Sequence, residues 1–356
     1  MLRAMRVAAG LIALTAFAEN AEAQFYRGRT VTLIVNYPAG GPTDIEARIV
    51  AQHLTAHIPG NPAVVVRNVG GAGGLIGSNQ LGEATPNGET IGFFTQTMTD
   101  QILGNPAMRT RYSDFIPIAG VESPLVVYMR KDTPPGVNVP TDIMKTKDFK
   151  ALSLNAQNTN TMNQTIALDL LGIKFQPIPS YRGLKDVETA ILQNIGQMAN
   201  SSLSGWRGSV EPTMGNLIIP LWQLAPRAAN GSYPRSKALP DLQTFEEFYA
   251  TVFPDKKLAG NIAYEALRAF SNPQLAMFRI ALAPPNTPPA AIATLRTAFT
   301  EMWKNKQFLA DYARLIHTEP VMIAGEDCQD VLADLGKVRQ EVKDFLISHT
   351  SQLLTR

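Results

Sequence analysis

Cysteine is almost absent from this chain, because the 356-residue sequence contains only Cys328. A single cysteine cannot form an intramolecular disulfide, so the fold has no disulfide framework. Histidine is also scarce, and none of the four histidines lies in a Cys/His cluster with metal-ligand spacing. His53 and His57 could share one helix face, but no third ligand follows nearby. We therefore expect neither a metal site nor a cofactor.

The motifs of common hydrolases and nucleotide-binding proteins are missing as well. The sequence has no H-E-x-x-H, no G-x-S-x-G and no G-x-x-x-x-G-K-[ST]. Thr43 and Thr97 could act as nucleophiles beside a glycine-lined oxyanion hole, but neither has an identifiable base. The sequence therefore predicts a protein that is not an enzyme.

Charge is balanced and scattered along the chain. Thirty-two Lys and Arg residues face 30 Asp and Glu residues, for a formal net charge of +2, and no acidic or basic block stands out. Proteins that bind nucleic acid usually carry a cluster of basic residues, and this sequence shows no such cluster. We therefore expect no nucleic-acid partner. With 45% hydrophobic residues, the chain can bury a large core and form two domains.

Residues 1–23 have the pattern of a secretory signal peptide. Arg3 and Arg6 precede the apolar run 7–18, and Ala21-Glu22-Ala23 supplies the small-x-small cleavage pattern before Gln24. The apolar run is too short for a membrane anchor, and no second long apolar segment follows. We expect a cleaved protein of the bacterial periplasm.

The stretch 31–44, VTLIVNYPAGGPTD, predicts a buried strand, a glycine turn and a helix. Pro42 suits the first helical position, and apolar residues then recur at three- and four-residue spacing. The first N–H groups of a helix have no intrahelical partner, and the helix dipole is positive there. Gly40 and Gly41 would let a ligand approach these donors, which predicts an anion site. A tight turn with nothing bound is the alternative.

A second glycine turn, 70–77, follows an apolar strand predicted to be buried at 64–66. A dinucleotide site would need glycines at G-x-G-x-x-G spacing and an acidic residue about twenty positions on, and both are missing. A second set of backbone donors facing the first is the simpler interpretation. A third strand, 91–94, leads to the polar stretch 95–99 with Thr97, whose role is either ligand binding or loop capping. Three such units predict an open parallel sheet with a ligand at its carboxyl edge.

The later half repeats strands that end in polar loops. The strand 151–154 leads to amides and hydroxyls that include Asn158 and Thr159, 175–178 leads to Tyr181, and 197–200 ends at Asn200. These loops are either ligand donors or solvated surface. After the strand 278–283 and a proline-rich turn, we expect only helices that pack in the core.

Four stretches resemble the extracytoplasmic solute-binding proteins of tripartite tricarboxylate transporters, the Bug family. They are PAGG with Thr-Asp in 34–44, GGAGGLIG in 68–77, Tyr181-Arg182-Gly183 where the family usually has Tyr-Lys-Gly, and RSKALPDLQTFE in 235–246. APPNTP, 283–288, is similar to a fifth. The likeness spans the mature chain in the family's order.

The resemblance implies an α/β, two-domain periplasmic-binding-protein-like (type II) fold, with hinge-linked lobes and a ligand cleft between them. We expect domain 1 in 24–125 plus 279–356 and domain 2 in 126–278. The resemblance also implies that backbone N–H groups of the two glycine loops hold one carboxylate. At matching positions these residues are Ala39, Gly40, Gly41, Thr43, Gly73 and Gly74.

The second-domain loops depart from the family pattern, since 155–161 has no glycine and Asn200, Ser201 or Ser202 replaces an expected aspartate. The leading hypothesis is a monomeric periplasmic receptor that delivers a small carboxylate to membrane permease subunits. The alternative is a sensory protein that presents a carboxylate to a membrane sensor kinase.

Overall fold

Two β-sheets organise the chain in a computed structural model that describes residues 25–355. The predicted signal peptide, 1–23, lies outside these residues. The first sheet has the strand order β11-β4-β10-β3-β1-β2, and the second has the order β7-β6-β8-β5-β9. The strands are β1 Thr30–Val35, β2 Ala63–Asn68, β3 Thr90–Phe94, β4 Ile116–Glu122, β5 Leu125–Arg130, β6 Phe149–Ser153, β7 Phe175–Pro179, β8 Met198–Ser202, β9 Ile218–Leu224, β10 Arg279–Ala283 and β11 Val321–Ala324.

Helices pack on the sheets and connect their strands. They are α1 Pro42–Leu54, α2 Leu75–Gly82, α3 Met98–Ile102, α4 Thr159–Leu170, α5 Leu184–Leu192, α6 Leu203–Gly205, α7 Glu211–Met214, α8 Phe245–Val252, α9 Ile262–Ala276, α10 Pro289–Lys304, α11 Lys306–Ile316, α12 Gly325–Asp334 and α13 Gln340–Leu353. A π-helical turn, Trp206–Val210, joins α6 to α7. Among residues 25–355, no helix is both long enough and apolar enough to cross a membrane.

The predicted α/β fold with two lobes is confirmed, but the first sheet is mixed and not parallel. β1 pairs in parallel with β2 and β3, whereas β10 runs antiparallel to β3 and β4. β11 was not predicted, because four residues between helices carry too little periodicity to indicate a strand. The prediction that 64–66 is buried was wrong: β2 is an edge strand, and Val65 is 50% exposed.

Short connections join the two sheets. Ser123 and Pro124 alone separate β4 of the first sheet from β5 of the second, and α9 leads back into β10. The C-terminal helix α13 lies against the second sheet's helices, since Thr165 Oγ1 and His349 Nε2 are 2.8 Å apart. The proposed domain boundaries stay a prediction, and α13 contacts residues that this prediction assigns to the other domain.

The residues considered for metal chemistry have other partners. His53 Nε2 lies 3.1 Å from Asp311 Oδ2, and Cys328 is buried, which raises the pKa of its thiol to about 12. No group of three or more His, Cys, Asp or Glu side chains in the described part of the chain is placed to hold a metal ion.

Candidate ligand-binding site

The N-terminus of α1 has unsatisfied backbone donors, as predicted from the sequence. Its N-cap, Gly41, has an extended conformation and supplies no side-chain cap. The next N–H groups, of Thr43 and Asp44, have no backbone acceptor in residues 25–355, and the first helical hydrogen bond is donated by Ile45 N to Gly41 O. Gly40 has φ +81°, a conformation that glycine adopts easily.

The N-terminus of α5 has the same construction. Its N-cap, Gly183, also provides no side-chain cap, which leaves the N–H groups of Leu184 and Lys185 without a backbone acceptor in the described chain. A Cβ atom added to Gly183 would lie 3.6 Å from Pro38 Cδ, in the turn that precedes α1. The two uncapped helix ends therefore meet, one from each lobe.

A cavity of about 100 Å³ lies where these helix ends meet. α1, α5 and the first turn of α4 all contribute to its wall, so three helix N-termini border one space. Positive ends of helix dipoles and free N–H groups together favour an anion. The lining residues are Tyr37, Pro38, Ala39, Gly41, Pro42, Thr43, Thr95, Leu154, Asn160, Gly183, Leu184, Lys185, Asp186, Phe278 and Arg279.

Arg279 is a buried charged residue of this wall that the sequence did not predict. It begins β10, is 2% exposed, and its Nη2 lies 2.7 Å from Glu46 Oε1, a carboxylate that is equally buried. Tyr312 donates its hydroxyl proton to the other Glu46 oxygen at 2.7 Å. A charge at the start of an otherwise apolar strand was the only sequence indication.

Arg279 also connects the lobes. Its Nη1 donates to Thr95 Oγ1 at 2.8 Å, and its Nη2 reaches Ser202 Oγ and Ser204 Oγ at 3.2 and 3.3 Å. The two serines belong to the end of β8 and to α6, whereas Thr95 follows β3. One side chain therefore bonds both sheets and borders the cavity.

Arg279 also borders a second, larger cavity, which we call the hinge-side groove. It measures about 650 Å³ and includes Ser123 and Pro124, the link between the sheets. Its charged lining consists of Glu46, Glu122, Arg227, Arg235, Lys237, Arg279 and Glu319.

Three of the predicted site residues, Ala39, Gly41 and Thr43, line the smaller cavity. Gly40 is adjacent, but its N–H donates to Asp44 Oδ2 at 2.8 Å, so that donor is engaged within the protein. Burial opposes ionisation of Asp44, yet hydrogen bonds from Arg48 and Gly40 N–H outweigh it and lower its pKa. Asp44 therefore stays charged and holds the glycine turn.

The second glycine loop contacts the other lobe and does not border the cavity. Tyr37 donates its hydroxyl proton to Gly73 O at 2.6 Å, and Asn158 Nδ2 donates to the Tyr37 oxygen at 3.0 Å. Gly74 lies beside Thr97, whose N–H donates to Tyr112 at 3.0 Å. The hydrogen bonds from Asn158 to Tyr37 and to Gly73 O join the lobes at one side of the cavity.

The remaining predicted residues lie around the cavity without bordering it. Thr159 Oγ1 is 3.0 Å from Thr99 Oγ1 across the lobes, and Asn200 Nδ2 donates to Asn160 O at 2.8 Å. Tyr181 is partly buried, just before the N-terminus of α5. Asn160, which does border the cavity, thus takes its position partly from Asn200.

Several buried polar atoms in or just after strands of the two sheets have no hydrogen-bond partner in residues 25–355. A buried polar atom is normally hydrogen-bonded, so each such atom is a candidate for water or ligand. The atoms in or just after β3, β6 and β8 are Gln96 Nε2, Ser153 Oγ, Asn155 Oδ1, Asn200 Oδ1 and Ser201 Oγ.

The chain has a two-lobed α/β fold with a cleft between the lobes, and comparison with known proteins agrees with this architecture. No protein-family model matches the chain. Among curated sequences, it is 37% identical over 91 residues to Protein BugT of Bordetella pertussis, which covers 26% of this chain and 27% of that protein. A UPF0065 protein of Agrobacterium vitis is 27% identical over 47% of this chain and 49% of its own length. The chain thus spans about half the length, or less, of the curated relatives it matches.

Solved structures match nearly the whole chain. Periplasmic binding protein BugD covers 91% of this chain and 98% of its own, with 21% identity and a TM-score of 0.68. MatC from Rhodopseudomonas palustris with bound malate covers 90% and 99%, with 17% identity and a TM-score of 0.67. An R. palustris protein with adipate covers 91% and 98%, with 18% identity and a TM-score of 0.69. These matches confirm the predicted fold, and Protein BugT together with BugD bears out the resemblance to the Bug family.

Removing the hydroxyl of Tyr37 should loosen the contact between the lobes. Tyr37→Phe loses the hydrogen bonds to Gly73 O and Asn158, and each bond contributes about 1 kcal/mol. We expect the ligand-free variant to populate an open form, with a larger radius of gyration in small-angle X-ray scattering. A ligand-free variant whose scattering matches that of the wild type would contradict this role, and Tyr233→Phe, on the partly exposed loop before α8, is the control.

Asp100 should make stability depend on pH. Burial raises its pKa to about 6, against an ordinary value of 3.8. The folded state therefore binds this proton more tightly than the unfolded state, and stability falls as pH rises from about 4 to about 6. Asp100→Asn should be more stable than the wild type by about 1–3 kcal/mol at pH 7 and by much less at pH 4. Urea unfolding at both pH values measures the stability difference between Asp100→Asn and the wild type. A difference that is the same at both pH values would refute the prediction.

Proposed function

We propose that the protein is a periplasmic solute-binding protein that captures a small organic acid between its lobes and delivers it to a tripartite tricarboxylate-type membrane transporter. The observation that carries the proposal is the cavity bordered by two uncapped helix N-termini, one from each lobe. A carboxylate placed there would accept hydrogen bonds from both lobes at once. Binding would then favour the closed form, as a receptor that changes shape on loading requires.

The available donors are sufficient for useful affinity. Hydrogen bonds to a charged group contribute roughly 1.5–3 kcal/mol each. The N–H groups of Thr43, Asp44, Leu184 and Lys185 would together give a gross ~6–12 kcal/mol, before ordering and desolvation costs. A micromolar Kd requires about −8 kcal/mol. Backbone donors can therefore carry most of the affinity, and Arg279 can remain paired with Glu46.

Binding without chemistry fits the lining of the cavity. No His or Cys is among the lining residues in the described chain, and the Thr43 hydroxyl bonds Thr95 and no base. Periplasmic location is supported by the signal-peptide pattern in 1–23 and by the resemblance to BugD, a periplasmic binding protein. Malate and adipate, found in two structural neighbours, make dicarboxylates the first ligands to test.

A thermal-shift screen of the mature protein tests the proposal. The panel contains benzoate, malate, adipate and citrate, with the corresponding amides as uncharged controls. A ligand at about 100 times its Kd should stabilise the folded state by roughly 2.7 kcal/mol, which shifts the melting temperature measurably. No shift with any acid, or equal shifts with acids and amides, would overturn the proposal.

A further inference from the structure

Thr43 and Thr95 form a hydroxyl pair with one proton to spare. Their Oγ1 atoms are 2.8 Å apart, so one of the two hydroxyls donates to the other. Arg279 Nη1 donates to Thr95 Oγ1 at 2.8 Å and can accept nothing. No atom within residues 25–355 accepts the second hydroxyl proton of the pair.

The spare proton can point into the cavity. Thr43 and Thr95 are 5% and 6% exposed, and both border the cavity between α1 and α5. A ligand oxygen would supply the missing acceptor. The guanidinium of Arg279 polarises the pair, which makes the remaining hydroxyl a stronger donor.

On the side of the Arg279 guanidinium away from Thr95, the hydrogen bonds form a chain in which every donor can be assigned. Glu46 can only accept, so Ser204 donates to Glu46 Oε1 at 2.6 Å. Ser204 has then used its one hydroxyl proton. Ser202 must therefore be the donor in the 2.9 Å hydrogen bond between the two serine hydroxyls. The guanidinium is thereby held from the second lobe while it orients the threonine pair of the first.

We propose that Arg279 is a positioning residue for the ligand: through Thr95 it orients the hydroxyl pair so that one O–H is presented to a ligand carboxylate oxygen. This inference rests on the proposed function and adds a side-chain donor to the backbone donors. Arg279 also links the hydroxyl pair to Ser202 and Ser204 of the other lobe. A ligand that binds the pair therefore favours the closed arrangement of the lobes.

A double-mutant cycle tests the proposal. The acid of the benzoate, malate, adipate and citrate panel that gives the largest shift is titrated calorimetrically into the variants. Thr43→Val should weaken binding about 10-fold, and Thr95→Val several-fold. Thr95→Ser keeps the hydroxyl and should bind like the wild type. In the Thr43→Val background, Thr95→Val should cause little further loss, because the pair acts as one unit.

Arg279→Lys is examined in the same cycle, because lysine keeps the charge and loses the planar fork. The loss of affinity caused by Arg279→Lys should be smaller in the Thr95→Val background than in the wild type. Thr251→Val, on the exposed surface of α8, is the matched control and should not change affinity. Purely additive losses, or a lower melting temperature with unchanged Kd, would overturn the positioning role. A wild-type protein that binds no acid of the panel would overturn the proposed function together with this inference.

Discussion

Glu46→Ala is expected to lower the free energy of unfolding by about 3–5 kcal/mol, the largest effect of any single substitution considered. Glu46 and Arg279 are each 2% exposed and form one ion pair. Removing the carboxylate leaves the guanidinium charged, buried and partly unpaired, and also removes the acceptor of the Tyr312 hydroxyl. The cost comes mainly from this uncompensated charge, because a buried pair replaced as a whole costs far less.

Urea unfolding monitored by circular dichroism measures this effect. Asp334→Ala is the control, because its ion pair with Lys337 is exposed and should contribute below about 1 kcal/mol. Glu46→Leu combined with Arg279→Met removes both charges and should recover a large part of the loss. Equal losses for Glu46→Ala and Asp334→Ala would show that the buried pair does not stabilise the folded state.

Gly41→Asp is expected to abolish carboxylate binding, with a loss of at least about 100-fold, while the fold stays intact. Gly41 has φ −85° and ψ 170°, which aspartate adopts without strain, and a Cβ there would lie 3.8 Å from its nearest atom, Pro38 O. Aspartate is a favoured N-cap, so its carboxylate would bond the free N–H groups of α1. The introduced carboxylate would thus occupy the anion site in place of a ligand. It would also stabilise the fold by a few tenths of a kcal/mol.

Gly41→Ala separates this effect from simple crowding. Alanine adds the same Cβ without an acceptor, so we expect its affinity to stay within a few-fold of the wild type. Calorimetry with the acid chosen from the panel gives the two Kd values, and thermal melting gives the stabilities. Aspartate and alanine variants that bind equally well would mean that the ligand does not use the N-terminus of α1.

Local sequence patterns were sufficient to predict the α1 side of the candidate site. The apolar strand, the glycine turn and Pro42 lie within fourteen residues, and each acts through its immediate neighbours. The uncapped end of α1 therefore followed from the sequence. The uncapped end of α5 was not predicted, although its N-cap Gly183 was noted as part of Tyr181-Arg182-Gly183.

The rest of the site depends on contacts between distant residues. Nothing near Glu46 indicates that its partner is Arg279, because the pair forms only when α1, β10 and the end of β8 pack together. The second glycine loop is absent from the lining of the smaller cavity, and Gly73 O accepts hydrogen bonds from Tyr37 and Asn158, so its role in ligand binding stays a prediction. Periodicity also could not show that β2 lies at a sheet edge, which is why the burial of Val65 was mispredicted.

A crystal structure of the protein with its tightest-binding acid tests the central claim most directly. We predict a ligand carboxylate in the cavity between Gly41 and Gly183, within hydrogen-bonding distance of N–H groups at the start of α1 and of α5. A ligand that lies in the hinge-side groove, beside Arg227 and Lys237, or that contacts neither helix N-terminus, would contradict the account.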